Sequence, residues 1–135
     1  MKPNHLFFLV AVVGCAMGIA LDRLALAQQT GIKRTILLRT DDPAGATHEA
    51  VMGIAELPPG ASSGKHRHHG TEIGYVLEGS LVVERDGQPT LTLSAGDAFK
   101  NEAGVHDAKN PGAKPTKILA VYIVEKGKPL ADPVR

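Results

Sequence analysis

Short runs of alternating apolar and polar residues recur along most of the chain. In the run Ile32–Thr40, Ile32, Ile36 and Leu38 share one parity, which is the two-residue period of a β-strand. Five further runs have this character: Glu49–Leu57, Glu72–Leu77, Leu81–Arg85, Thr90–Leu93 and Thr116–Glu125. The sequence has no apolar stripe at helical spacing over three turns. The pattern predicts an all-β domain, and strand starts about 8–12 residues apart favour a sandwich or barrel.

The two ends of the chain have patterns of their own. Lys2 precedes a 16-residue apolar stretch, Leu6–Leu21, which is shorter than the roughly 20 residues of a membrane span. The sequence Ala-Leu-Ala ending at Ala27 is the small-x-small pattern of a signal-peptide cleavage site. We predict a signal peptide over residues 1–27 and export of the mature protein to the periplasm or the medium. At the other end, Gly127–Arg135 contains two prolines and is predicted to form an extended surface tail.

Two alternatives to signal cleavage stay open. The apolar stretch could remain as an uncleaved amino-terminal anchor. The sequence Val-Val-Gly-Cys ending at Cys15 also resembles a bacterial lipobox, which would make Cys15 a lipidation site. We expect cleavage after Ala27, because the apolar stretch is short and the cleavage pattern is good.

The composition of the predicted mature chain, Gln28–Arg135, limits the possible functions. Its 108 residues suffice for one compact domain. Without the signal peptide, 13 basic and 13 acidic residues remain, so no charge excess indicates a nucleic-acid or membrane partner. Cys15 is the only cysteine, which excludes a disulfide, a thiolate zinc site and a cysteine nucleophile from the mature domain.

Four residues are candidate ligands of a metal ion. His66 and His68 form an H-x-H pair, which places both imidazoles on one face of a strand. Glu72 adds a carboxylate, and His106 follows 34 residues later in a second glycine-framed loop. Imidazoles with a carboxylate suit a borderline transition metal rather than calcium or magnesium. We predict one divalent ion (iron, manganese, nickel, copper or zinc), whose identity this ligand set does not determine.

The same residues resemble the cupin superfamily. The spacing of the first cupin motif is matched in full by Gly60, His66, His68, Glu72 and Gly79. The segment from Gly96 to Asn110, GDAFKNEAGVHDAKN, resembles the second motif. It departs from that motif twice, because Glu102 replaces the usual proline and the loop between Gly104 and His106 is one residue short.

The resemblance covers about residues 49–125, and small secreted single-domain bacterial cupins (the cupin type-2 conserved barrel) are similar more loosely. It implies a small antiparallel β-barrel, or jelly roll, over residues 28–135. The metal would lie near the middle of this barrel. Its ligands would be His66, His68, Glu72 and His106.

The resemblance also implies a range of activities. Relatives with a three-histidine, one-glutamate site include dioxygenases of flavonols and other small molecules, oxalate-degrading enzymes and isomerases. We therefore favour a metal-dependent oxidoreductase of the dioxygenase kind, acting on a small molecule. The alternative is a secreted module that binds a metal or small ligand without turnover, and a third interpretation is a scaffold with a purely structural metal. Glu102 and Tyr75 are further catalytic candidates, the first as a proton acceptor and the second as a hydrogen-bond donor.

Strand alternation around Glu72 predicts two opposite surfaces. If Glu72 points into the barrel, Gly74 faces inward, where its missing side chain is expected to leave open space beside the ion. Ile73, Tyr75 and Leu77 then face outward as an apolar surface. This surface suits a covering strand or a partner subunit, and because cupins often pair as dimers, we expect a homodimer.

Overall fold

The fold consists of strands and turns throughout the described part of the chain. The computed structural model describes residues 31–41 and 47–135, and the predicted signal peptide lies outside them. Its strands are, in order, β1 (Lys33–Asp41), β2 (His48–Leu57), β3 (His66–Arg67), β4 (Gly70–Glu78), β5 (Ser80–Arg85), β6 (Gln88–Ser94), β7 (Ala98–Asn101), β8 (His106–Lys109), β9 (Thr116–Glu125) and β10 (Asp132–Pro133). Within these residues, no helix is long and apolar enough to cross a membrane. The all-β prediction is confirmed.

The strands form two five-stranded antiparallel sheets. The first has the order β1-β2-β9-β4-β7 and the second the order β10-β3-β8-β5-β6. Strands distant in sequence are neighbours in both sheets, as in a jelly roll. This topology brings the two histidine-bearing loops together, because β3 and β8 are adjacent and pair His66 with His106.

The core lies between the two sheets. On β9 the buried positions alternate strictly, with Thr116, Ile118, Ala120, Tyr122 and Val124 facing inward. One apolar cluster joins side chains of both sheets: Leu57, Val76, Leu81, Val83, Leu93, Phe99 and Ile118. The burial of these side chains is the main force holding the sheets together.

The six runs predicted as strands correspond to β1, β2, β4, β5, β6 and β9. The tight turn between β5 and β6 is made by Gly87, whose φ of 72° suits glycine. Four strands, β3, β7, β8 and β10, were not predicted. They have two to four residues each, which is too short for alternation to be recognised.

The carboxyl-terminal tail is part of the second sheet. In β10, Asp132 pairs with Arg67 and Pro133 with His66. The amide of Val134 also donates to the carbonyl of Lys65 at 2.9 Å. The predicted extended tail therefore lies directly beside a candidate metal ligand.

Candidate metal centre

Three histidine side chains converge in the interior. His66 is on β3, His106 opens β8, and His68 lies in the connection to β4. One nitrogen of each imidazole lies within 4.8 Å of one nitrogen of each of the others, and all three side chains are buried. The short loop after Gly104 still brings His106 into the cluster.

Glu72 on β4 completes the cluster. Its Oε2 lies 3.4 Å from Nε2 of His106 and 3.6 Å from Nε2 of His68. The amide of Asn101, on β7, donates a hydrogen bond to the same oxygen at 2.8 Å. The structure thus brings together all four residues that the sequence predicts as ligands.

The three imidazoles are oriented by backbone carbonyls. Nδ1 of His66 lies 2.8 Å from the carbonyl oxygen of Gly64, and Nδ1 of His68 lies 2.5 Å from that of Leu130. Nδ1 of His106 lies 3.2 Å from the carbonyl oxygen of Gly104. A carbonyl only accepts hydrogen bonds, so each Nδ1 carries a proton, and in the neutral form of each imidazole Nε2 keeps the lone pair. Such bonds typically fix metal-ligating histidines in proteins.

One buried atom in this cluster lacks a hydrogen-bond partner. Nε2 of His68 has none among the described residues, and an unsatisfied buried polar atom costs stability. A cation at the centre of the cluster would satisfy this lone pair. The donor set of three imidazoles and one carboxylate therefore fits a divalent transition metal.

The cluster also shifts the pKa values of its members. Burial acts to raise the pKa of Glu72, but close contacts with His106 and His68 outweigh it and hold that pKa well below its usual range. Burial lowers the pKa of His66 to about 4. Burial also acts to lower the pKa of His106, but the nearby Glu72 carboxylate outweighs burial and raises that pKa overall. Glu72 is therefore charged and His66 neutral at neutral pH, as metal ligands must be.

Sequence reasoning missed two residues that support the ligands. The ring centroid of Tyr122, on β9, lies 4.8 Å from that of His68. In the pairing of β4 with β9, Tyr122 is the partner of Glu72. Burial and the charge of Glu72 raise the pKa of Tyr122, so its phenol stays protonated. The alternation in the run Thr116–Glu125 could have identified Tyr122 as facing inward, because it shares its parity with Ile118 and Val124. No comparable pattern identifies Asn101, because β7 is short.

The two further catalytic candidates lie outside the cavity that contains the cluster. Tyr75 faces outward on β4, with 43% of its surface exposed. Glu102 is exposed and forms an ion pair with Lys100 at 2.8 Å. Neither residue lines the cavity, so neither is placed to touch a small molecule bound there.

The space above Gly74 is filled rather than open. A Cβ atom at Gly74 would lie 2.1 Å from Cζ of Phe99, because the Phe99 ring packs directly on this backbone. The expectation of a void at Gly74 was wrong. Glycine is required there so that the Phe99 ring can approach and form part of the cavity wall.

The cluster lies in a cavity of about 960 Å³. This volume is at the upper end of the range typical of small-molecule sites. The cavity walls are largely apolar and include Leu57, Phe99, Ile118 and Leu130. The cavity is therefore large enough for a small organic molecule beside the four polar groups.

The family model of the cupin domain matches residues 53–122. The chain belongs to the cupin family. The matched region includes every member of the cluster, so the resemblance recognised in the two motifs is confirmed. The fold of this cupin is likewise that of solved relatives. One is an uncharacterized conserved protein with a double-stranded β-helix domain from Klebsiella pneumoniae (25% identity, TM-score 0.61, 75% of this chain and 84% of that one).

Two further proteins are similar in sequence to this cupin. The oxalate-binding protein of Thermotoga maritima is 38% identical over 71 residues, covering 51% of this chain. That match spans 58% of the relative's length. The tetracenomycin polyketide synthase protein TcmJ of Streptomyces glaucescens is 31% identical over 108 residues, covering 79% of this chain and 71% of the relative.

Proposed function

We propose that this cupin binds one divalent transition-metal ion and uses it to transform a small organic molecule, in an oxidative reaction of the dioxygenase kind. The observation that carries this proposal is the convergence of three oriented histidines and Glu72 inside a large cavity. A bound transition metal would supply Lewis acidity or, for a redox-active ion, chemistry with dioxygen. The ligands would be His66, His68, Glu72 and His106.

The residues around the cluster have separate roles in this proposal. Asn101 holds one oxygen of Glu72 through its amide, which fixes the carboxylate toward the histidines. The protonated phenol of Tyr122 provides a neutral hydrogen-bond donor beside Glu72. A molecule that fills the apolar part of the cavity would displace water, which strengthens its polar interactions near the cluster.

Elemental analysis tests the metal site. The protein Gln28–Arg135 is incubated with each candidate ion and desalted, in parallel with His106→Ala and with the control His48→Ala, which changes a histidine outside the cluster. We expect close to one ion per chain in the wild type and in the control, and a marked loss in His106→Ala. Little metal in the wild type after every incubation would refute the proposal.

Oxygen consumption tests the reaction. Wild type loaded with iron, manganese, nickel or copper is assayed with a panel of small phenols and dicarboxylates. Metal-free protein and Glu72→Gln serve as controls. We expect metal-dependent consumption with at least one substrate. Consumption equal to that of metal-free protein across the panel would refute the oxidative proposal.

A second candidate function is ligand binding without turnover. The relative from Thermotoga maritima is named for binding oxalate rather than for a reaction, which supports this candidate. In that case the metal-loaded protein would bind a small molecule tightly and return it unchanged. Mass spectrometry of the recovered ligand separates the two functions.

We also propose that this cupin forms a homodimer through the outward face of the first sheet. Ile73, Tyr75 and Leu77 of β4 and Ile123 of β9 are all exposed there, by 38–46%. A contiguous apolar surface of this kind is typical of an interaction site. Light scattering of the wild type should give twice the chain mass, and Ile73→Lys should reduce it to one chain. A wild-type monomer at high concentration would refute this proposal.

A further inference from the structure

The charged side chains that line the cavity are unevenly distributed. Three lining residues are basic: Arg34, Lys65 and Arg135. Glu72 is the one acidic residue of the lining, and its carboxylate faces the histidines. Basic side chains therefore outnumber acidic ones along the lining, which favours anions.

Arg34 is an exposed residue of β1 that borders the cavity. It pairs with Ala55 across β1 and β2, and Ala55 pairs with Ile118 of β9. Ala55 and Ile118 both line the cavity. The positive charge of Arg34 acts to lower the pKa of Tyr122, although burial and Glu72 raise it overall. The guanidinium is therefore electrostatically coupled to the region of the cluster.

Arg34 differs from its basic neighbours on β1. Lys33 forms an ion pair with Glu56 at 3.2 Å, and Arg39 forms one with Glu49. Lys65, elsewhere on the lining, pairs with Asp86 at 2.9 Å. Among the described residues, Arg34 has no carboxylate partner. A guanidinium with its donors available beside an apolar cavity is suited to a planar carboxylate, which it binds through two parallel hydrogen bonds.

We propose that the cavity takes a compact organic carboxylate, whose anionic group is bound by Arg34 while its apolar part lies against Leu57, Phe99 and Ile118. This inference rests on the proposed function, since it places the ligand in the cavity above the four metal ligands. Arg34 lies outside residues 53–122, which match the family model. The family match therefore assigns no role to Arg34.

A pair of probes that differ only in charge tests the inference. Benzoate and benzamide have nearly the same shape, but only benzoate is an anion. Their binding is followed by NMR chemical-shift changes of the isotope-labelled protein Gln28–Arg135. Each probe is titrated to about 10 mM, so that dissociation constants in the millimolar range can be measured. Both probes are measured with metal-free and with zinc-loaded protein, since zinc by itself also attracts a carboxylate.

Three variants assign the preference to Arg34. Arg34→Gln removes the charge, Arg34→Lys keeps the charge without the planar fork, and Lys33→Gln changes the adjacent residue as a matched control. We expect the wild type to bind benzoate about tenfold more tightly than benzamide, as a charge-assisted hydrogen bond allows. Arg34→Gln should abolish this preference, Arg34→Lys should keep part of it, and Lys33→Gln should keep all of it.

Two results would overturn the inference. One is that metal-free wild type binds both probes equally or binds neither. The other is that Arg34→Gln keeps the full preference for benzoate. The metal content of the same samples separates this inference from the proposed function. If the wild type takes up no zinc but still shows an Arg34-dependent preference, the proposed function fails and the carboxylate site stands.

Discussion

The carbonyl oxygen of Leu130 lies 2.5 Å from Nδ1 of His68, although 62 residues separate the two along the chain. His68 is a candidate metal ligand, and Leu130 belongs to the carboxyl-terminal tail. The hydrogen bond fixes the tautomer of His68 so that Nε2 faces the cluster. The tail therefore takes part in the metal site without supplying a ligand.

Shortening the tail should weaken metal binding. A chain that ends after Pro129 loses the Leu130 carbonyl, whereas a control chain that ends after Pro133 keeps it. Loss of a group that orients a metal ligand typically costs 10–100-fold in metal affinity, and we expect an effect of about that size in the first chain alone. Zinc affinity measured by competition with a chelator checks this. Equal affinities would show that the tail does not orient His68.

Metal affinity should fall with falling pH. The proton and the metal compete for the same lone pair of each imidazole. Glu72 stays ionised because its pKa is lowered, and burial lowers the pKa of His66 to about 4. His106, whose pKa is raised, therefore holds its proton to the highest pH of these three. We expect at least about a tenfold loss of affinity for each pH unit below the pKa of His106, since at least one proton is displaced.

A chelator titration between pH 5 and pH 8 measures this slope. The control variant His48→Gln should reproduce the wild-type slope. Near pH 4 the slope should steepen, as His66 also takes up a proton. Full metal retention at pH 4 would contradict the ligand set.

Gly74→Ala should destabilise the domain. The new Cβ would lie 2.1 Å from Cζ and 2.3 Å from Cε1 of Phe99, so the ring must move from its place in the core. Overpacking of this kind typically costs about 1–3 kcal/mol. Gly104→Ala is the matched control, because a Cβ there meets nothing within 4 Å. Urea unfolding of both variants measures the free energies.

The double variant Gly74→Ala/Phe99→Leu tests the cause of that loss. The smaller leucine should relieve the clash, so that adding Gly74→Ala to Phe99→Leu costs less than adding it to the wild type. Equal costs in the two backgrounds would show that contact with Phe99 is not the source of the destabilisation.

Expression of the full chain in a bacterial host should give a mature protein that begins at Gln28. Signal peptidases require a small residue before the cleavage point, so Ala27→Asp should block processing. Cys15→Ser should leave it unchanged. Intact-mass measurement of the purified protein gives the cleavage position. An intact amino terminus would indicate an anchor, and loss of processing in Cys15→Ser would indicate lipidation.

The sequence by itself determined the class of fold and the candidate ligands. Long strands such as β9 expose their two-residue period, because one face is buried in the core and the other is not. The spacing of His66, His68 and Glu72 is local, so the sequence displays it directly. Both properties depend on residues close together in the chain.

The tertiary structure decided which distant groups surround those ligands. The Leu130 carbonyl, Asn101 and Arg34 come from separate strands and from the tail, and no local pattern connects them to the histidines. The packing of Phe99 on Gly74 likewise depends on the pairing of β4 with β7. These contacts result from the closure of two sheets around one core, which a local pattern cannot encode because it records no distance between strands.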